Sequence, residues 1–233
     1  MNAPFADVET SSDRYARRFE GAVGRWFLEV QGRAVRALMA DRPHARVLDV
    51  GGGHAQLAPM LRALGHEVTV LGSSEECGHR LRGSGVSFRV GDPLAAPFAP
   101  GTFDVVLCFR LLPHVERWRD LVGELCRLAT HAVVVDYPTA RSVNALSGAL
   151  FGLKKGVERD TRPFTVFHDA WVADALAAHG FRVAGRRPQF FWPMALHRAL
   201  RFAPLARALE GGASFLGLTR AFGSPVVLRA DRA

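Results

Sequence analysis

Residues 47–57 read VLDVGGGHAQL, and no other stretch restricts the fold as tightly. VLDV is short, apolar and β-branched, the pattern of a buried strand. Three glycines follow, and they admit a tight turn with no side chain in the way. AQLAPMLRALG then places Leu57, Met60, Leu61 and Leu64 at helical spacing, with Gly65 as a stop. Strand, glycine loop and helix in that order aim backbone N–H groups and a helix N-terminus at whatever lies above the loop.

The same alternation continues. Strands are expected at 46–50, 66–72, 86–91, 103–109 and 131–137, with helices at 55–64, about 75–82, and 116–129. Apolar strands alternating with helices indicate a parallel sheet covered on both faces. Two more strands, 181–191 and 224–230, follow a helix that Asp169 could cap. The fold class is therefore α/β, a doubly wound Rossmann-like, mostly parallel seven-stranded sheet. Ligands of such sheets bind beyond the carboxyl ends of the strands, where strand order reverses. Residues 1–13 read as a polar, poorly ordered tail, and 14–40 as a helix softened at Gly21, Gly24 and Gly32. The whole chain, 1–233, is expected to be one domain. Segments 141–165 and 192–222 are insertions that form a substrate cap.

Composition excludes several classes. No apolar run approaches the roughly 20 residues of a membrane span, and the N-terminus lacks the pattern of a secretory signal. Cys77, Cys108 and Cys126 form no CxxC pair, which fits a reducing cytoplasm. His54, His66 and His79 are not at metal spacing, so no metal is expected. The net charge of +8 is carried by arginine, with Lys154 and Lys155 the only lysines. These arginines are spread along the chain, not clustered with aromatics, so no nucleic-acid partner is expected. A basic face toward an acidic membrane surface or an anionic substrate stays open.

Two nucleotides compete for the glycine loop. The dinucleotide pattern GxGxxG needs glycine where Gln56 stands, so it fails. Asp49, Gly51, Gly53 and Ala55 instead follow D-x-G-x-G-x-G with its third glycine replaced, and GDPLAAPFAPGTFDVVLCFRLLPHV supplies a second matching run. In these residues the chain resembles the class I S-adenosylmethionine-dependent methyltransferase family, in particular the small-molecule branch that includes quinone-biosynthesis enzymes. The resemblance implies S-adenosyl-L-methionine as cofactor. It places Gly51, Gly52 and Gly53 against the methionine and ribose, Asp49 on the cofactor amino group, and Asp92 on the adenine amine. Gly72, Ser73, Pro93, Phe109 and Arg110 complete the implied cofactor set. Read without the resemblance, Asp49 caps the loop and Asp92 is a turn residue. Two departures stand out. The family's ribose-binding acid falls at Gly72, where Ser73, Ser74, Glu75 or Glu76 would have to substitute. Pro93 lacks the N–H that the family offers to the adenine. An aspartate at position 72 is expected to restore the ribose contact.

Methyl transfer needs alignment more than covalent help, and a base only for a hydroxyl or protonated amine. His114, Tyr137 and His168 fall near strand ends and are the candidate catalytic residues; their structural readings are a helix-start histidine, a buried packing tyrosine and an exposed helix-entry residue. FFWPMALHRALRFAPLARAL mixes apolar residues with Arg198, Arg201 and Arg207, as a packed cap or as a lid over an apolar acceptor that touches a membrane surface. The expected activity is methylation of a small, largely apolar acceptor in the cytoplasm, at oxygen first, with carbon or nitrogen open. The alternative is a non-methylating relative that binds the cofactor or a metabolite and regulates a partner.

Overall fold

The computed structural model describes residues 5–143 and 164–233. Seven strands form one sheet: β1 (Arg46–Val50), β2 (Glu67–Gly72), β3 (Ser87–Val90), β4 (Phe103–Cys108), β5 (Ala129–Tyr137), β6 (Phe181–Phe190) and β7 (Ser224–Arg232). Their spatial order is β3-β2-β1-β4-β5-β7-β6. The first five run parallel, and β7 lies antiparallel between β5 and β6. Strand order reverses between β1 and β4, so the crevice beyond their carboxyl ends is where this topology places a ligand.

The described helices are α1 (Ala6–Thr10), α2 (Asp13–Ala16), α3 (Gly21–Leu38), α4 (Ala58–Ala63), α5 (Trp118–Leu128), α6 (Asp169–Ala177), α7 (Met194–Leu200), α8 (Ala203–Phe215) and α9 (Leu218–Phe222). Side chains of a strand alternate between faces. Leu48, Val50, Val106, Val133 and Val135 accordingly join Leu121 and Leu125 of α5 on one face. Val47, Val105, Leu107 and Val134 join Val35 of α3 with Leu57 and Leu61 on the other. Both faces of the central strands are dry, which is why they read as continuous apolar runs. Burying each such Val or Leu is worth about 1.5–3 kcal/mol.

α3 passes through Gly24 and Gly32 without a break. Gly24 lies against the Phe19 backbone, and a Cβ on Gly32 would stand 3.1 Å from Met60 Sδ, so these glycines permit close packing. Residues 75–82, expected as an α-helix, form a 3₁₀ helix over Glu75–Leu81. His168, not Asp169, occupies the cap position of α6. Asp169 instead accepts from Thr139 Oγ1 at 2.9 Å and pairs with Arg186 at 3.0 Å.

The expectation of a disordered tail fails for residues 5–13. α1 and α2 form, and Ala6, Asp7, Thr10 and Ser11 are buried. The reason is polar satisfaction. Ser12 Oγ accepts from the Tyr15 N–H as an N-cap, and Asp7 finds donors on Ser73, just past the carboxyl end of β2.

Residues 192–222 pack on α3. Trp26 and Phe27 meet Phe190, Ala203 and Ala206 in a separate core cluster. Glu210 fastens the segment: it accepts from the Phe191 and Trp192 N–H groups and pairs with buried His197 at 2.9 Å. The same segment exposes Phe202, Leu205, Phe215 and Leu216. Of the other expected insertion, residues 144–163 lie outside the described residues. Among the described residues, no helix is long and apolar enough to cross a membrane.

Candidate functional site

The loop after β1 is held from below. The Gly51 N–H donates to the Leu71 carbonyl at 2.8 Å, tying the turn to β2. Gly51 takes φ +76°, which the absence of a Cβ makes easy. Gly52–His54 close as a 3₁₀ turn, and Ala55 then enters the left-handed region at φ +56°. That last conformation explains why the motif prefers a glycine there: an L side chain meets the following carbonyl.

A Cβ on Gly52 would fall on the Asp49 carboxyl group, so the acid lies directly beneath the loop. Asp49 is fully buried, and neither carboxyl oxygen has a hydrogen-bond partner among the described residues. Burial, with Asp136 as a second negative neighbour, pushes its pKa up to about 8. Asp136 is also raised by burial, against the opposing influence of Arg110, whose N–H donates to Asp136 Oδ1 at 2.6 Å. An unpartnered buried carboxyl group is costly. It fits a site completed by a cationic ligand with N–H donors, which would supply both the charge and the hydrogen bonds.

His54, the next side chain of the loop, is 3% exposed. Desolvation, then the charge of Arg110, lowers its pKa to about 3, so it stays neutral. Its Nδ1 accepts from the Gln56 N–H at 3.2 Å. Arg110 lies two residues past β4 at φ +60° and is enclosed by the N-terminal helices. Its guanidinium lies 4.3 Å from the Phe19 ring centroid and donates to Tyr15 Oη at 3.4 Å and to Gln31 Oε1. Phe109 beside it is fully buried in the core.

At the end of β2, Gly72 is enclosed: a Cβ there would stand 2.6 Å from Cys77 Cβ and 2.9 Å from Phe88 Cε2. Ser73 follows with its N–H and hydroxyl engaged by Asp7 of α1, at 2.7 Å and 2.6 Å. At the end of β3, Asp92 is exposed, and its Oδ1 accepts from the Leu94 N–H at 2.8 Å across buried Pro93. Asp49, the three glycines, Ser73 and Arg110 thus surround the carboxyl ends of β1, β2 and β4, with Asp92 on the exposed rim.

The candidate catalytic residues separate. His114 follows β4, with its ring 5.4 Å from that of Phe164. His168 is exposed beside Trp171, at 4.6 Å. Thr165 N–H donates to the Pro113 carbonyl at 2.8 Å, which brings the Phe164–His168 segment alongside His114. Tyr137 is not brought to this rim. It is fully buried in the cluster on the sheet face opposite Asp49, 5.8 Å from Phe167, and burial raises its phenol well above the ordinary range.

Sequence reasoning missed Asp7, Ser11, Gln31 and Asp136. Only the Ser12–Asp13 capping pattern signalled order in the N-terminal segment. Asp136 was hidden inside an apolar strand.

Solved structures share the architecture. The magnesium protoporphyrin IX methyltransferase of Synechocystis, solved with bound SAH, matches with a TM-score of 0.66 at 18% identity, over 95% of this chain and 94% of that one. A Thermotoga maritima SAM-dependent methyltransferase, described as a possible histamine N-methyltransferase, gives 0.62 at 17%, over 90% and 94%. One from Mesorhizobium loti gives 0.60 at 17%, over 87% and 98%. At such identities the likeness shows the fold. Among curated proteins none matches the chain. Residues 24–204, which carry the glycine loop, Asp92 and the strand-four run, match the methyltransferase domain, and the chain belongs to that family.

Proposed function

We propose that this methyltransferase, whose cofactor is S-adenosylmethionine, methylates a small, largely apolar acceptor carrying a hydroxyl, such as a quinone, lipid or polyketide-like molecule. The observation that supports the cofactor end is Asp49, buried without a partner beneath the glycine loop. Asp49 would hold the cofactor's ammonium group. The Gly51–Gly53 backbone would lie against its ribose and methionine, and Asp92 would accept from its adenine amine. When bound, the cofactor supplies a methyl group activated on sulfur.

The chain's remaining task is to place the acceptor and take its proton. The rim beyond β4 and β5 offers exposed Phe164, Val166 and Trp171 as apolar contacts. His114 and His168 stand among them as imidazoles, the side-chain type that most often takes a proton in such a transfer. Buried, neutral His54 is unsuited to that role because its own protonation is suppressed. Arg110, fixed by Tyr15, Gln31 and Phe19, contributes position and positive charge at the inner wall.

A labelled-methyl assay against a host extract tests this reading. Label should pass to an organic-soluble acceptor. His114→Asn or His168→Asn should lower kcat on a hydroxyl acceptor by about 10²–10⁴-fold, with little effect on cofactor affinity. Label in protein or nucleic acid, or kcat unchanged in both variants, would refute it.

A further inference from the structure

The N-terminal segment packs against the glycine loop. Asp7 Cβ lies 3.6 Å from the place a Cβ on Gly51 would take, behind the nearer Leu111 side chain, and Ser11 Oγ and the Cys77 carbonyl both meet the corresponding place on Gly53. Asp7 holds the Ser73 N–H and hydroxyl, and the Cys77 thiol donates to its Oδ2 at 3.5 Å. Ala6 joins the apolar cluster with Leu71 and Leu111 at the same strand ends. Ser11 Oγ is buried and unpartnered among the described residues, a polar atom left unsatisfied by the fit.

We propose that the segment Ala6–Ser11 is an intramolecular occupant of the cofactor site, latched by Asp7 on Ser73, and that it must leave for the cofactor to enter. The inference rests on the reading that the glycine loop holds S-adenosylmethionine. Close-packed protein admits one occupant at a time against the loop, beside Leu111 and the Cys77 carbonyl that also close on Gly51 and Gly53. The hold on the occupant is modest. A five-residue helix has almost no stability of its own, and only Ala6 contributes to the apolar cluster. The latch is therefore the Asp7 carboxylate, whose charge-assisted bonds are the strongest contacts the segment makes. Asp13, two residues beyond the segment, pairs with Arg80 at 2.6 Å on the exposed surface and acts as the hinge side. Cofactor affinity is then reduced by the fraction of molecules whose segment is lifted. The consequence is a built-in dependence of cofactor binding on whatever engages the N-terminal segment.

The test uses the full chain and S-adenosylhomocysteine as probe. Asp7→Ala should tighten binding by about tenfold or more, the weight of charge-assisted bonds removed from the closed state. Asp7→Cys sets a thiol beside Cys77. Oxidation should staple the segment down and abolish binding, and a reductant should restore it. In the unmodified protein, the Ser11 and Ser12 amides, which donate to Asp7 and Glu9 carbonyls, should exchange faster when the probe is bound. Weaker binding by Asp7→Ala, full affinity in the stapled protein, or unchanged amide exchange on binding would each overturn the inference while leaving the cofactor reading intact. Failure of the unmodified protein and every variant to bind the probe would instead overturn the cofactor reading, and this inference with it.

Discussion

Asp49→Asn should make the protein more stable and less functional, and the two effects have one cause. Asp49 is buried, unpartnered and raised from 3.8 to about 8. A folded-state pKa above the unfolded value means the fold favours the protonated acid. Its stability contribution is complete below pH 3.8 and is lost as the pH rises to about 8. At about 1.4 kcal/mol for each tenfold change in proton affinity, the loss across that window is on the order of 5 kcal/mol. Asparagine keeps the shape and has no proton to lose. Asp136, raised in the same direction, titrates in both proteins; in the variant it has lost a negative neighbour and ionises more readily, which adds to the gain. Thermal unfolding of the ligand-free proteins should therefore coincide near pH 4 and separate steadily up to pH 8. For a chain of this size, 5 kcal/mol is worth roughly 10–20 °C in Tm. The same substitution removes the negative partner of the cofactor's ammonium group, and S-adenosylhomocysteine affinity should fall by about 10–100-fold. Parallel Tm–pH curves for the two proteins would refute the argument, because they would mean Asp49 carries no buried charge cost. Undiminished affinity would show that the carboxyl group does not face the ligand.

Ala55→Gly should raise stability by about 0.5–1 kcal/mol, read from the urea midpoint, because it relieves a left-handed L residue at the loop's end. Gly72→Asp, which the sequence suggests would recover a ribose contact, should instead destabilise by about 1–3 kcal/mol without tightening S-adenosylhomocysteine, since the new Cβ meets Cys77 and Phe88. Calorimetric titration of the folded variant decides this, and a gain in affinity would mean that the wall around Gly72 yields.

Sequence alone determined the sheet. VLDV, HEVTVLG, FDVVLCF and HAVVVDY are apolar because both their faces are covered, and that requirement is visible in one dimension. The glycine run and Asp49 were legible for a similar reason. A tight strand-to-helix turn leaves few choices of residue, and the acid stands out against apolar neighbours. What sequence could not give were properties created by residues far apart in the chain. Gly72 looked like an absent acid, and only the packing of Cys77 and Phe88 around it shows why no side chain fits. Asp7 looked like part of a polar tail, and its burial depends on Ser73, which lies at the far side of β1 and β2 in the chain. The raised pKa of Asp49 and the lowered one of His54 arise from desolvation and from Asp136 and Arg110. Tyr137 shared a strand end with the expected site, but strand alternation turned it to the opposite face. Local pattern fixes which segments become strands and helices, because hydrophobic periodicity is short-ranged. Dielectric environment, steric closure and the partner of each charge belong to the assembled structure, because they depend on what the fold brings within a few ångströms.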